Sequence, residues 1–158
     1  MNTPAPASEG GLHFNLSHSG QMVAIALTRK RAIGVDIELI HHLDDWSLLA
    51  GRIFSPRELR ELHSLPKMQQ REAFFNGWTR KEACLKAMGE GLTDALQTIE
   101  VTLTSGQKPE ILGLPAGPEA AGRWDLHAIP LPPDYAGAVV FQNDPPHLRQ
   151  AFGFAGSR

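Results

Sequence analysis

The segment from Lys67 to Met88 constrains the fold most. Phe74, Trp78, Leu85 and Met88 recur at near-helical spacing, and Gly89 supplies the left-handed stop that ends many helices. A helix of this length needs something broad to pack against. Gly77 interrupts it, and a mid-helix glycine is expected to cost about 1 kcal/mol relative to alanine. Trp78, Glu82 and Lys86 lie four residues apart and therefore share one helix face. That face is either an ordinary solvated Glu–Lys pair or part of a site.

The rest of the chain reads as strands around a helical middle. "MVAIALT" (Met22–Thr28) has strand length, "RKR" (Arg29–Arg31) follows as a polar turn, and "AIGVDIELI" is a second strand, so the two predict a hairpin. "HHLDD" (His41–Asp45) reads as a loop entering a helix. In "FSPRELRELHSL", Ser55 is the N-cap, Pro56 the first helical residue and Glu58 the partner in a capping box. "LQTIEVTL", "KPEIL", "RWDLHAI" and "AGAVVFQ" are expected strands, separated by the turns "GLPAGPEAAG" and "PLPPD". The expected class is α+β, an antiparallel sheet packed against a long helix. Residues 12–142 would form the domain, with a mobile N-terminal arm at 1–11 and a C-terminal tail at 143–158.

Composition narrows the function. With 158 residues and 42% hydrophobic content, one domain can bury a core without staples. The net charge of −2 argues against a non-specific nucleic-acid binder. A polyanionic ligand would need local positive charge or a metal. The lone cysteine, Cys84, rules out an intrachain disulfide and reads as a small buried helix residue. No apolar run has membrane-spanning length, so no membrane association and a cytoplasmic location are expected.

Two short blocks carry candidate chemistry. In "GVDIE", Asp36 and Glu38 point to one face of a strand and Val35 and Ile37 to the other. The pair is either a solvated face or a hard-cation site, for which oxygen ligands suit Mg²⁺ or Mn²⁺. In "FNLSHSG" (Phe14–Gly20), Ser17 and His18 diverge if the segment is extended, which disfavours a nucleophile–base pair. Oxyanion recognition and a simple turn opening a strand remain. Adding Glu82 and Lys86 gives three carboxylates, an ammonium and an imidazole, a set suited to Mg²⁺ and pyrophosphate.

These three blocks, "FNLSHSG", "GVDIE" and "WTRKEACLKAMGEGL", closely resemble those of the 4′-phosphopantetheinyl transferases, specifically the surfactin-synthetase-activating type. The resemblance runs from about Leu12 to Gln142. It implies an enzyme that moves the phosphopantetheine arm of coenzyme A to a serine of an acyl or peptidyl carrier protein, releasing adenosine 3′,5′-bisphosphate. It implies that Asp36, Glu38 and Glu82 bind Mg²⁺ and that Glu82 acts as the base. Lys86 would stabilise phosphate charge and protonate the leaving group, and Ser17 and His18 would contact coenzyme A phosphates. Trp78 matches a motif position and is expected to seat the helix.

The larger members of the family have two pseudo-symmetric halves, and this chain resembles the second. The region before the first block, "MNTPAPASEGG", contains no lysine or arginine where the family places basic residues for the 3′-phosphate. Arg29–Arg31 and Arg80–Lys81 are the candidate substitutes. Three explanations are open: a homo-oligomer, with a dimer favoured; an omitted first half; or a non-catalytic module that binds a carrier protein or coenzyme A. A Mg²⁺-dependent phosphohydrolase is the third functional alternative.

Overall fold

The computed structural model describes residues 11–89 and 93–143, with side chains 93–95 excepted. The arm and the tail expected at the two ends lie outside the described residues, apart from their innermost positions. The order is β1 (Leu12–Ser19), β2 (Met22–Arg29), β3 (Ile33–Leu39), α1 (Trp46–Ile53), α2 (Pro56–Ser64) and α3 (Lys67–Met88). A 3-10 helix (Thr93–Thr98), β4 (Glu100–Val101), β5 (Ile111–Gly113), α4 (Pro118–Ala121), β6 (Trp124–Ala128) and β7 (Tyr135–Gln142) follow. All described strand pairs are antiparallel, and the class is α+β as expected.

The long helix starts and stops where the pattern put it, with Gly89 at φ +71° as the left-handed cap. It packs across β3 and β7 of the three-stranded sheet β3–β7–β6. Gly34 makes this contact possible. A Cβ there would collide with the Ala83 carbonyl and the Ala87 amide nitrogen, and would come within 2.9 Å of Lys86 Cβ. The helix backbone therefore lies directly on β3.

The main core surrounds α3, on the sheet side and on the side of α1, α2 and β4, and in it Phe54, Phe74, Phe75, Leu62 and Leu103 are essentially inaccessible. Burial of such side chains contributes roughly 1.5–3 kcal/mol each. Gly77 belongs to this core rather than weakening it. A Cβ at Gly77 would sit 2.5 Å from Phe54 Cε1 and 2.6 Å from Leu103 Cδ2, so the expected comparison with alanine is reversed by packing. The capping box at Ser55 and Glu58 is present with both of its bonds.

Three expectations change. The strand at Met22–Arg29 pairs with β1, not with β3, turning through Gly20 at φ +56°. β3 pairs instead with the late strand β7. The reason is the two-faced hairpin: Ala24 and Ala26 are small enough to pack on Val35, Val139 and Phe141 behind the sheet. The segment "LQTIEVTL" divides into the end of the 3-10 helix and the two-residue β4. Within "GLPAGPEAAG", Pro118 at the first helical position starts the one-turn α4.

Candidate active site

Two elements bring the charged residues together. On β3, positions 34, 36 and 38 face α3, so the close approach at Gly34 sets Asp36 and Glu38 beneath the last turns of the helix. On α3, Trp78, Glu82 and Lys86 line up toward them. Lys86 Nζ lies 2.8 Å from Asp36 Oδ1 and donates a second bond to the Val35 carbonyl at 3.1 Å. An ammonium has three donors, so one remains uncommitted by these contacts.

The electrostatics mark this as a costly cluster. Burial, opposed by Lys86 and by the Ser17 hydroxyl and assisted by Glu38, pushes the Asp36 carboxyl up to about 6. Burial also raises Glu82; Glu38 adds to that rise, while Lys86 and a hydrogen bond from Trp78 act against it. Carboxylates held in this way gain from any cation placed among them. Asp36 Oδ2 is buried and has no hydrogen-bond partner. An orphaned anionic oxygen is the feature a hard cation would satisfy, and Mg²⁺ needs only one or two carboxylates beside phosphate and water. The donor set therefore fits the metal. Among the described residues, no three acidic, imidazole or thiol groups form a ready-made cation site. Lys86 supplies the positive charge at Asp36 instead.

Ser17 and His18 part company. Ser17 is buried, donates to Asp36 Oδ1 at 3.0 Å and accepts from the Ile37 amide at 3.2 Å. His18 is exposed on the opposite face of β1, across from Val23. Asp36, Lys86 and Ser17 are thus bonded together, Glu38 and Glu82 stand near enough to act on them electrostatically, and His18 is outside the group. Trp78 stands over Phe74 and Phe75, with centroids at 5.6 and 6.2 Å, and so seats the helix.

Arg80 and Lys81 do not serve as surface cations. Arg80 is 3% exposed and donates to the Thr102 carbonyl and hydroxyl. Lys81 is fully buried against Glu58, and also donates to the carbonyls of Ile53 and Leu96. Helix periodicity alone could not reveal this, because α3 is covered on most sides. Cys84 is fully buried and its thiol is pushed up to about 12 by burial, so it is unreactive packing. Ser19 and Asn15 were not singled out in sequence. Ser19 donates to Glu38 Oε2 at 2.8 Å, and alternation along β1 with Ser17 was the available signal. A concave pocket of about 120 Å³, lined in part by His42, Trp46, Lys67 and Arg71, contains none of the cluster.

The sequence profile of the 4′-phosphopantetheinyl transferase superfamily matches residues 32–140. The chain is 42% identical over 133 residues to the 4′-phosphopantetheinyl transferase HetI of Nostoc sp., covering 84% of this chain and 52% of HetI. It is 40% identical over 102 residues to the 4′-phosphopantetheinyl transferase AcpT of Salmonella typhimurium, covering 65% and 53%. The chain spans about half the length of these relatives. In structure it is similar to the holo-[acyl-carrier-protein] synthase of Neisseria meningitidis, with a TM-score of 0.56 and 27% identity over 72% of this chain and 98% of that one. The Helicobacter pylori holo-[acyl-carrier-protein] synthase in complex with coenzyme A shares the fold, with a TM-score of 0.50 and 22% identity over 68% and 96%.

Proposed function

Because this chain belongs to the 4′-phosphopantetheinyl transferase superfamily, we propose that its 12–142 domain transfers the 4′-phosphopantetheine arm of coenzyme A to a serine of an acyl or peptidyl carrier protein. The observation that carries this reading is Asp36, a buried carboxylate with one unpartnered oxygen, flanked by Glu38 and facing Lys86. Asp36, Glu38 and Glu82 would hold Mg²⁺ or Mn²⁺, which when bound would neutralise pyrophosphate charge.

The chain's own residues perform the remaining tasks. Glu82, made a stronger proton acceptor by burial with Lys86 opposing that rise, takes the proton from the carrier serine, directly or through a water. The serine oxygen forms a bond to the phosphorus on the pantetheine side as the bond from that phosphorus to the bridging oxygen breaks. Adenosine 3′,5′-bisphosphate leaves with the bridging oxygen. Lys86 moves its uncommitted donor toward that oxygen, stabilising its charge and supplying a proton. Such transfers ask a protein chiefly for positioning and charge, which this cluster offers. Ser17 supports Asp36 in this scheme, and His18 is assigned a coenzyme A phosphate reaching the outer face of β1.

The same proposal includes a homo-oligomer, with a dimer favoured. Its support is the outer face of the β1–β2 hairpin, where Leu12, Phe14, Val23, Ile25 and Leu27 are 56–61% exposed. A contiguous apolar face of this kind calls for cover, and a second copy would also restore the two-half arrangement of the longer relatives. Light scattering at working concentration tests it: a dimer is expected, and a monomer sinks the assembly. No helix among the described residues is long and apolar enough to cross a membrane. A cytoplasmic setting is part of the proposal.

The deciding experiment is the intact mass of an apo carrier protein after incubation with this chain, coenzyme A and Mg²⁺, beside a chelated control. A metal-dependent gain of the phosphopantetheine arm is expected, and Glu82→Gln should reduce it at least a hundredfold without unfolding the chain. Folded protein that binds the carrier but adds no mass would favour a non-catalytic module. Release of products from coenzyme A without a carrier would favour a phosphohydrolase.

A further inference from the structure

β1 and β3 run side by side in parallel without sharing a backbone ladder. β3 gives its even-numbered edge to β7, as the flanking bonds from Ile40 N–H to Asp134 and from Gln142 N–H to Ala32 show. Its odd-numbered amides face β1, and side chains satisfy them. Asn15 Oδ1 accepts from Val35 at 2.9 Å, Ser17 Oγ from Ile37 at 3.2 Å and Ser19 Oγ from Leu39 at 2.9 Å. The offset is twenty residues each time, so the three form a register-matched row.

Both serines make a second bond. Ser17 donates to Asp36 Oδ1 at 3.0 Å and Ser19 to Glu38 Oε2 at 2.8 Å. A hydroxyl has one proton. Since the oxygen receives the strand amide, that proton is aimed at the carboxylate one residue earlier. Asp36 Oδ1 is then occupied by Ser17 and Lys86, and Oδ2 is the oxygen left over.

We propose that Ser17 and Ser19 are positioning residues that present Asp36 and Glu38 to the divalent cation, acting as a template one strand removed from it. Asn15 holds the row in register and touches neither carboxylate. This inference rests on the metal-dependent reading above. It assigns Ser19 a role that its place at a strand end does not suggest. The row is also the inner face of the hairpin whose outer face is apolar, so the template is carried on an element with two sides committed.

The test is Mn²⁺ affinity of the full chain, measured by electron paramagnetic resonance with metal alone, for Ser19→Ala, Ser19→Thr and Glu38→Gln. Loss of a group that orients a metal-binding carboxylate commonly weakens binding about 10–100-fold. A loss of at least tenfold is expected for Ser19→Ala, with Ser19→Thr restoring affinity because its hydroxyl remains. Faster exchange of the Leu39 amide should accompany the alanine variant alone. Circular dichroism checks that each variant is folded. Wild-type affinity in Ser19→Ala together with weakened Glu38→Gln overturns the template and spares the metal site. Unchanged affinity in both overturns the metal reading, and the template with it.

Discussion

Asp36 pays for its position twice, once in lost hydration and once in repulsion from Glu38. Its carboxyl titrates near 6 in the folded chain against 3.8 as the ordinary value. Between those limits the folded chain holds a proton that the unfolded chain has released. Metal-free stability should therefore fall as pH rises from about 4 to 6 and level off above, by on the order of 2–3 kcal/mol from this group. A divalent cation reverses the sign, because it favours the ionised carboxylate. Thermal unfolding with and without Mg²⁺ checks this: the metal should raise Tm at pH 7.5 and lose its effect below about pH 5. A metal effect that stays constant across that range would remove Asp36 from the site.

At the scale of elements, the contact between α3 and its neighbours depends on two absent side chains. Gly77→Ala should destabilise the chain by about 1–3 kcal/mol in chemical denaturation, since its methyl meets the fixed rings and methyls of Phe54 and Leu103. Gly34→Ala should be worse for function, because its methyl meets helix backbone and would lift Lys86 away from Asp36. Loss of metal affinity beyond the loss of stability is the expected sign. These are also the places where sequence reading stopped short. The boundaries of α3 and the capping box were readable because local spacing and a left-handed glycine determine them. The carboxylate pair was readable because strand alternation is local. Gly77 was misjudged because its value lies in residues more than twenty positions away. β1 was not read as the partner of β2, because its inward side chains are polar and mimic a turn. In the fold they replace the backbone acceptors that a paired strand would offer to the amides of β3, a role set by residues twenty positions away.

For the molecule as a whole, the buried pair of Lys81 and Glu58 ties its parts together. Glu58 caps α2 and accepts the Val101 amide, while Lys81 reaches the carbonyls of Ile53 and Leu96. Burial drives the Lys81 amine down, opposed chiefly by Glu58. Lys81→Met should cost about 3–5 kcal/mol by leaving Glu58 uncompensated, and adding Glu58→Leu should recover part of it. Equilibrium denaturation of Lys81→Met, Glu58→Leu and the double variant measures the difference; losses that simply add would mean that the pair is not coupled. The side-chain row on β1 has a different consequence, one for inheritance. Backbone ladders tolerate substitution because every residue carries the same amide, but this row is written in side chains at alternate positions. Deleting a single codon between Asn15 and Ser19 would turn the downstream serine toward solvent and bring His18 or Gly20 into its place beside the carboxylates. The turn at Gly20 and Gln21, outside the row, can change length without that error. Lineages of this chain should therefore accumulate length differences in the turn and almost none within β1.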